Sequence, residues 1–116
     1  MIVKHMLKRS LDLAFQALSD STRREMVARL AGGPLSVSEL ARPLPMSLPA
    51  VLQHLSVLEA AGLVVSEKSG RVRTCWLDAA AVARAEQWLS AQRGEWERRL
   101  DRLDAYLQTS QQGETE

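Results

Sequence analysis

Cysteine, net charge and long apolar runs are all scarce in this chain of 116 residues. Cys75 is the only cysteine. An intramolecular disulfide framework is therefore excluded, and a lone thiol suits a reducing interior. The formal net charge is only +1, so a basic footprint for nucleic acid has to be local. No apolar run approaches the roughly 18 residues that would span a bilayer. The opening MIVKHMLKRS is positively charged but lacks the uninterrupted apolar segment of a signal peptide. Catalytic signatures are missing as well: there is no Gly-rich phosphate loop, no plausible nucleophile–base pair and no metal constellation. With one Cys and two His, His5 and His54, far apart in sequence, soft or imidazole ligands do not converge on a metal site. These absences predict a cytoplasmic protein that is not an enzyme, with no cofactor, no metal and no membrane association.

What is present reads as one domain over residues 1–116, with an ordered core over 10–107 and a polar, flexible tail over 108–116. Apolar residues make up 46% and charged residues 25%, which is ordinary globular usage. In SLDLAFQAL, residues 10–18, Leu11, Ala14, Phe15 and Leu18 form an amphipathic helical stripe. Ser21 is read as the cap of a second helix whose buried side is Met26, Val27 and Leu30, and GGP at 32–34 stops it. Ser36 followed by Glu39 is a capping-box signature for a short third helix. Pro43 and Pro45 end that helix. Ser47 then opens a fourth helix with Pro49 in its first turn, where a missing N–H costs little, and Gly62 closes it.

After Gly62 the period changes. LVVSEKSGRVRTCWL reads as two short strands around Ser69–Gly70, a hairpin. Arg71, Arg73 and Cys75 share one face of the second strand, and Val72, Thr74 and Trp76 the other. From Asp78, a cap, a long helix runs to about Leu107. Its stripe of Leu89, Gln92, Trp96, Leu100, Leu103 and Leu107, joined by Trp88 and Tyr106, is too large for a helix lying on a small domain alone. A large exposed apolar stripe marks an association surface. The rest of that helix balances five Arg against five acidic residues, as a solvated face does. The fold class is thus mainly α with a small β-hairpin, in the order α-α-α-α-β-β-α. Two consecutive helices joined by a tight turn, with a hairpin straight after, are a winged helix-turn-helix.

Taken in order, ALSDSTRREM, LSVSELA, PAVLQHLSVLEAAGLV and GRVRTCWL resemble the ArsR-type family of winged-helix transcriptional repressors over roughly residues 10–107. The resemblance implies a homodimer, joined through the first and last helices, that binds a near-palindromic double-stranded DNA operator. It implies helix 47–61 in the major groove and wing 63–77 on the flanking backbone or minor groove. The interface residues it implies are Leu11 and Phe15 with Trp88, Leu89, Trp96, Leu100, Leu103, Tyr106 and Leu107. Metal-sensing members carry a Cys-x-Cys element on the third helix, or His and carboxylates on the last. Here the third helix reads SELARPL and the last has no His, so a small-molecule effector is left unknown.

Base readers sit near the start of a recognition helix. Ser47, Ala50 and His54 share a face there, with Gln53 beside it. Gln can bond adenine bidentately, Ala can meet a thymine methyl, and the helix N-terminus offers N–H groups to a phosphate. His54 has a second reading, as a structural hydrogen-bonding residue. Candidate phosphate contacts are Arg23, Arg24 and Arg42 together with Lys68, Arg71 and Arg73 of the wing. For Arg23 and Arg24 the alternative is an ordinary solvated charge. Leu48 and Leu52 depart from the polar residues many relatives place there. Two further readings compete with a DNA-binding repressor. One is a winged-helix module that binds a protein partner through its charge-poor fourth helix. The other is a redox-responsive regulator using Cys75, whose reactivity needs a lowered pKa.

Overall fold

The computed structural model describes residues 2–114. Its elements are α1 (Ile2–Leu18), α2 (Ser21–Leu30), β1 (Leu35–Ser36), α3 (Val37–Ala41), α4 (Leu48–Ala60), β2 (Val64–Ser69), β3 (Val72–Leu77) and α5 (Ala79–Glu114). They fall into two compact units, Met1–Ala85 and Glu86–Glu116.

The first unit owes its shape to caps and turns that the sequence announces. Ser36 and Glu39 complete the reciprocal capping box of α3: the Ser36 hydroxyl accepts from the Glu39 N–H at 3.1 Å, and the Glu39 carboxylate accepts from the Ser36 N–H at 3.0 Å. These bonds hold the Glu39 carboxyl below the usual carboxylate range. Ser47 caps α4, accepting from the Ala50 N–H at 3.4 Å, with Pro in the first turn. Gly62, at φ +76°, ends α4 in a left-handed turn that a side chain would strain. There the Leu63 N–H donates to the Leu58 carbonyl at 3.1 Å and the Gly62 N–H to Glu59 at 2.9 Å, closing a Schellman motif. The hairpin turn is Gly70–Arg71, one residue later than expected, because Ser69 pairs with Val72.

Other features differ from the sequence reading as well, α1 among them, which begins at Ile2 and not near Ser10. Asp20, not Ser21, caps α2: its carboxylate accepts from the Arg23 N–H at 3.0 Å. A carboxylate there satisfies an orphan donor and also meets the positive end of the helix dipole. The hairpin gains a third strand, since Leu35 and Ser36 pair antiparallel with Cys75 and Thr74. The sheet order β1-β3-β2 therefore puts β3 in the middle. Two residues are too few to show any alternation. Finally, α5 continues past Leu107 to Glu114, over residues expected as a tail. Within that stretch Thr109 turns its hydroxyl back to the Ala105 carbonyl at 3.0 Å.

The core lies wholly in the first unit. Ala14 and Ala17 of α1, Met26 and Leu30 of α2 and Leu40 of α3 meet Val51, Leu55 and Leu58 of α4, with Leu44, Leu63, Val64, Cys75 and Ala81 completing the cluster. In α5 only Ala81 and Ala85 are buried among the described residues. In the second unit none is, and Glu95 gathers Arg98 at 3.1 Å, Arg99 at 3.2 Å and Arg102 at 3.8 Å around its carboxylate.

Candidate nucleic-acid interface

The buried stripe of α4 fixes which side faces out. With Val51, Leu55 and Leu58 turned inward, a rotation of about 100° per residue carries Pro49, Gln53 and Ser56 to the opposite side and Leu52 to the flank between. All four are exposed, as are Ser47 and Leu48 at the tip. Ala50 and His54, placed on the reading face by the sequence, are half-buried. They lie on the flank of α4, where α2 packs. The outward face is thus rotated from the expected Ser47–Ala50–His54 line toward Leu52, Gln53 and Ser56. Ser56 was missed as an exposed position, although it stands opposite 51, 55 and 58 on a helical wheel.

His54 is held from behind. The Arg23 Nη1 lies 3.2 Å from its Nδ1. A guanidinium has no acceptor, so a hydrogen bond here requires the tautomer that accepts at Nδ1 and carries its proton on Nε2. The Asp20 carboxylate stands 3.8 Å from the same Nδ1, beyond hydrogen-bonding distance. Arg23 is itself committed: its Nε donates to the Ala17 carbonyl at 2.7 Å and its Nη2 to Gln16 at 3.4 Å. Arg24 donates to the Leu18 carbonyl at 2.8 Å. Both cations therefore cap the C-terminal end of α1, where orphan carbonyls and the helix dipole favour positive charge. Asp20, bonded first by the Arg23 N–H and then facing His54 and Arg23, is held below the usual carboxylate range. Arg29, which sequence reasoning passed over, joins α2 to the end of α3 by donating to the Leu40 carbonyl and to Glu39 at 2.8 Å.

The wing cations divide in the same way. Arg73 grips Glu59, the only formal charge of α4, with Nη2 at 2.6 and 2.8 Å from the two carboxylate oxygens. Its Nε donates to the Ser66 hydroxyl at 2.8 Å, and that hydroxyl donates to Glu59 at 2.6 Å. This closed triangle ties β2 and β3 to the last turn of α4. By contrast the side chains of Arg42, Lys68 and Arg71 are exposed and make no hydrogen bond or ion pair among the described residues. Cys75, on the central strand, has no exposed surface, and burial pushes its thiol up, against the smaller pull of Arg73. That is the reverse of an activated thiolate. Among the described residues no three His, Cys, Asp or Glu side chains are grouped to hold a metal ion, and no helix is long and apolar enough to cross a membrane.

Of the residues expected at an interface between copies, Leu11 and Phe15 are half-buried. Those on α5, from Trp88 to Leu107, are 44–70% exposed.

Comparison with known proteins gives this arrangement a lineage. Residues 18–67, from the end of α1 into β2, match the helix-turn-helix domain family. The HTH-type transcriptional regulator Rv2034 of Mycobacterium tuberculosis is 56% identical over 75 residues, which cover 65% of this chain and 70% of that protein. The transcriptional repressor SdpR of Bacillus subtilis is 32% identical over 57 residues, covering 49% of this chain and 63% of that one. The crystal structure of the ArsR family transcriptional regulator RHA00566 superposes with a TM-score of 0.73 at 43% identity, over 78% of this chain and 93% of the other. An exposed, cation-free face on α4, a wing latched beside it and these relatives agree: the chain belongs to the ArsR family of winged helix-turn-helix, DNA-binding transcriptional regulators.

Proposed function

We propose that the chain is a homodimeric, cytoplasmic repressor of a near-palindromic operator. Residues 47–61 enter the major groove, and residues 63–77 rest on the flanking backbone or minor groove. The observation that carries this reading is a division of labour. The outward face of α4 has hydrogen-bonding and apolar groups but no cation, while Lys68 and Arg71 of the wing and Arg42 before α4 hold unpaired positive charge. Phosphate contacts supply affinity and base-edge contacts discrimination, and here they fall on different elements. Gln53 is the leading base reader, with Ser47, Ala50 and His54 beside it. Arg23, Arg24 and Arg73 serve the interface mainly by holding α1, His54 and the wing in place. The exposed stripe of α5, with Leu11 and Phe15 of α1, is the surface through which two copies join. A dimer would set its two recognition helices about 34–36 Å apart, one turn of the duplex. The buried, proton-retaining Cys75 speaks against redox control, and nothing in the site resembles catalytic machinery.

The test is a gel shift of the protein with its own promoter across a salt series. A repressor that neutralises phosphates loses affinity with a log–log slope of about −0.9 per contact. No retained fragment at low salt, or a flat slope, would refute it in favour of a module that docks on a protein.

A further inference from the structure

One exposed flank of α4 is more apolar than a solvated helix surface requires. Leu48 is 53% and Leu52 37% exposed. Four residues apart, they stand on successive turns of one side. They are not leftovers of the core, because Val51, Leu55 and Leu58 already fill it from the same helix. Between Leu48 and Leu58 there is no Asp, Glu, Lys or Arg. Guanine, whose O6 and N7 are most often read by Arg or Lys, has no cationic reader on this helix. The major-groove edges of the four bases carry a single apolar group, the thymine C5-methyl.

We propose that Leu48 and Leu52 read thymine methyl groups, so that the base pairs beneath α4 are A·T-rich. Gln53, exposed next to Leu52, supplies the complementary contact, a bidentate bond to adenine N6 and N7. The two neighbouring residues then recognise two features found only on A·T pairs. The methyl buries Leu surface that water covers in the free protein, and this contact needs no charge. The inference rests on α4 lying in the major groove and goes beyond it by naming the base chemistry that the helix selects.

The experiment uses the full chain and duplexes that it selects from a random pool. Each thymine in the half-site is replaced singly by deoxyuridine, which removes the methyl and leaves pairing intact. At one or two positions per half-site the replacement is expected to weaken binding about fourfold, the worth of one buried carbon. Leu52→Ala is expected to bind the unmodified duplex more weakly and to lose the distinction between thymine and uracil at its position. Leu48→Ala does the same at another position, while Leu52→Met keeps the distinction. Both leucines are on the surface, so the variants should fold, and unchanged circular dichroism checks this. Equal affinity for thymine and uracil duplexes, or undiminished uracil sensitivity in Leu52→Ala, overturns the proposal while leaving α4 in the groove. Absence of salt-dependent binding to any duplex overturns both, and points to a protein partner for the leucine pair.

Discussion

Up to Ala85, the large aliphatic side chains Met26, Leu40, Leu55 and Leu58 are at most 1% exposed. In the turns of α5 beyond it, Leu89, Leu100 and Leu103 are about half exposed, beside Trp96 and Tyr106. The residue types are similar, yet one set is spent on folding and the other is left over after it. An isolated helix gains little from such side chains, because helical stability comes mostly from packing an apolar face against something. The balanced charges on the rest of α5 keep the helix solvated, and the pairs around Glu95 are exposed and contribute little. The contrast separates residues that make the subunit from residues suited to joining subunits, and it can be attacked from both sides.

The largest effect is expected from paired substitutions. Leu55→Ala should lower the unfolding free energy by about 2–5 kcal/mol, through lost burial and a residual cavity, at any protein concentration. Leu100→Glu combined with Leu103→Glu should leave the isolated subunit within about 0.5 kcal/mol of its stability, as surface changes do, yet convert dimers to monomers. Urea unfolding and sedimentation equilibrium measure the two outcomes. Unchanged dimers would move the interface off α5, and an unfolded double variant would mean that the second unit contributes to folding after all.

A smaller effect is expected at the latch between helix and wing. Glu59→Gln removes the charge that Arg73 grips. Both side chains are partly exposed, so solvent screening holds the loss to about 1 kcal/mol or less. What should change is the wing: amide exchange in β2 and β3 should quicken, and binding should weaken about equally on all duplexes. A loss restricted to one base pair would make Glu59 a reader and not a positioning residue.

The sequence showed the elements better than the surface they expose. Capping boxes, a proline in a first turn and a glycine at a helix end are local chemistry, and Ser36, Ser47 and Gly62 act where their neighbours in the chain say they should. The buried Met26 and Leu30 of α2 were likewise legible, because periodicity reports which residues face a core. Periodicity does not report what packs on the flank. His54 shares a helical side with Ser47 and Ala50, but α2 lies along that flank and Arg23, distant in sequence, takes its Nδ1. Arg73 looked like a free wing cation for the same reason, since only the folded chain brings it to Glu59. β1 escaped notice because two residues have no period, and Asp20 because its neighbour Ser21 is as good a cap.

The smallest effect would sharpen the comparison between tied and untied cations. Lys68→Ala is expected to reduce the log–log salt slope of DNA binding by about 1, as the loss of one phosphate contact does, and to weaken every sequence alike. Arg73→Ala is expected to leave the slope unchanged, because its guanidinium is already neutralised by Glu59 and shared with Ser66. Its cost should appear in wing exchange and, because Glu59 loses its cation, in a weakening shared by all duplexes. If the two variants lowered the slope equally, Arg73 would have to leave Glu59 for a phosphate on binding. The carboxylate would then be exposed beside the groove, close to a polyanion that repels it. That exchange is unfavourable, so unequal slopes are expected, and they would confine Arg73 to its latch.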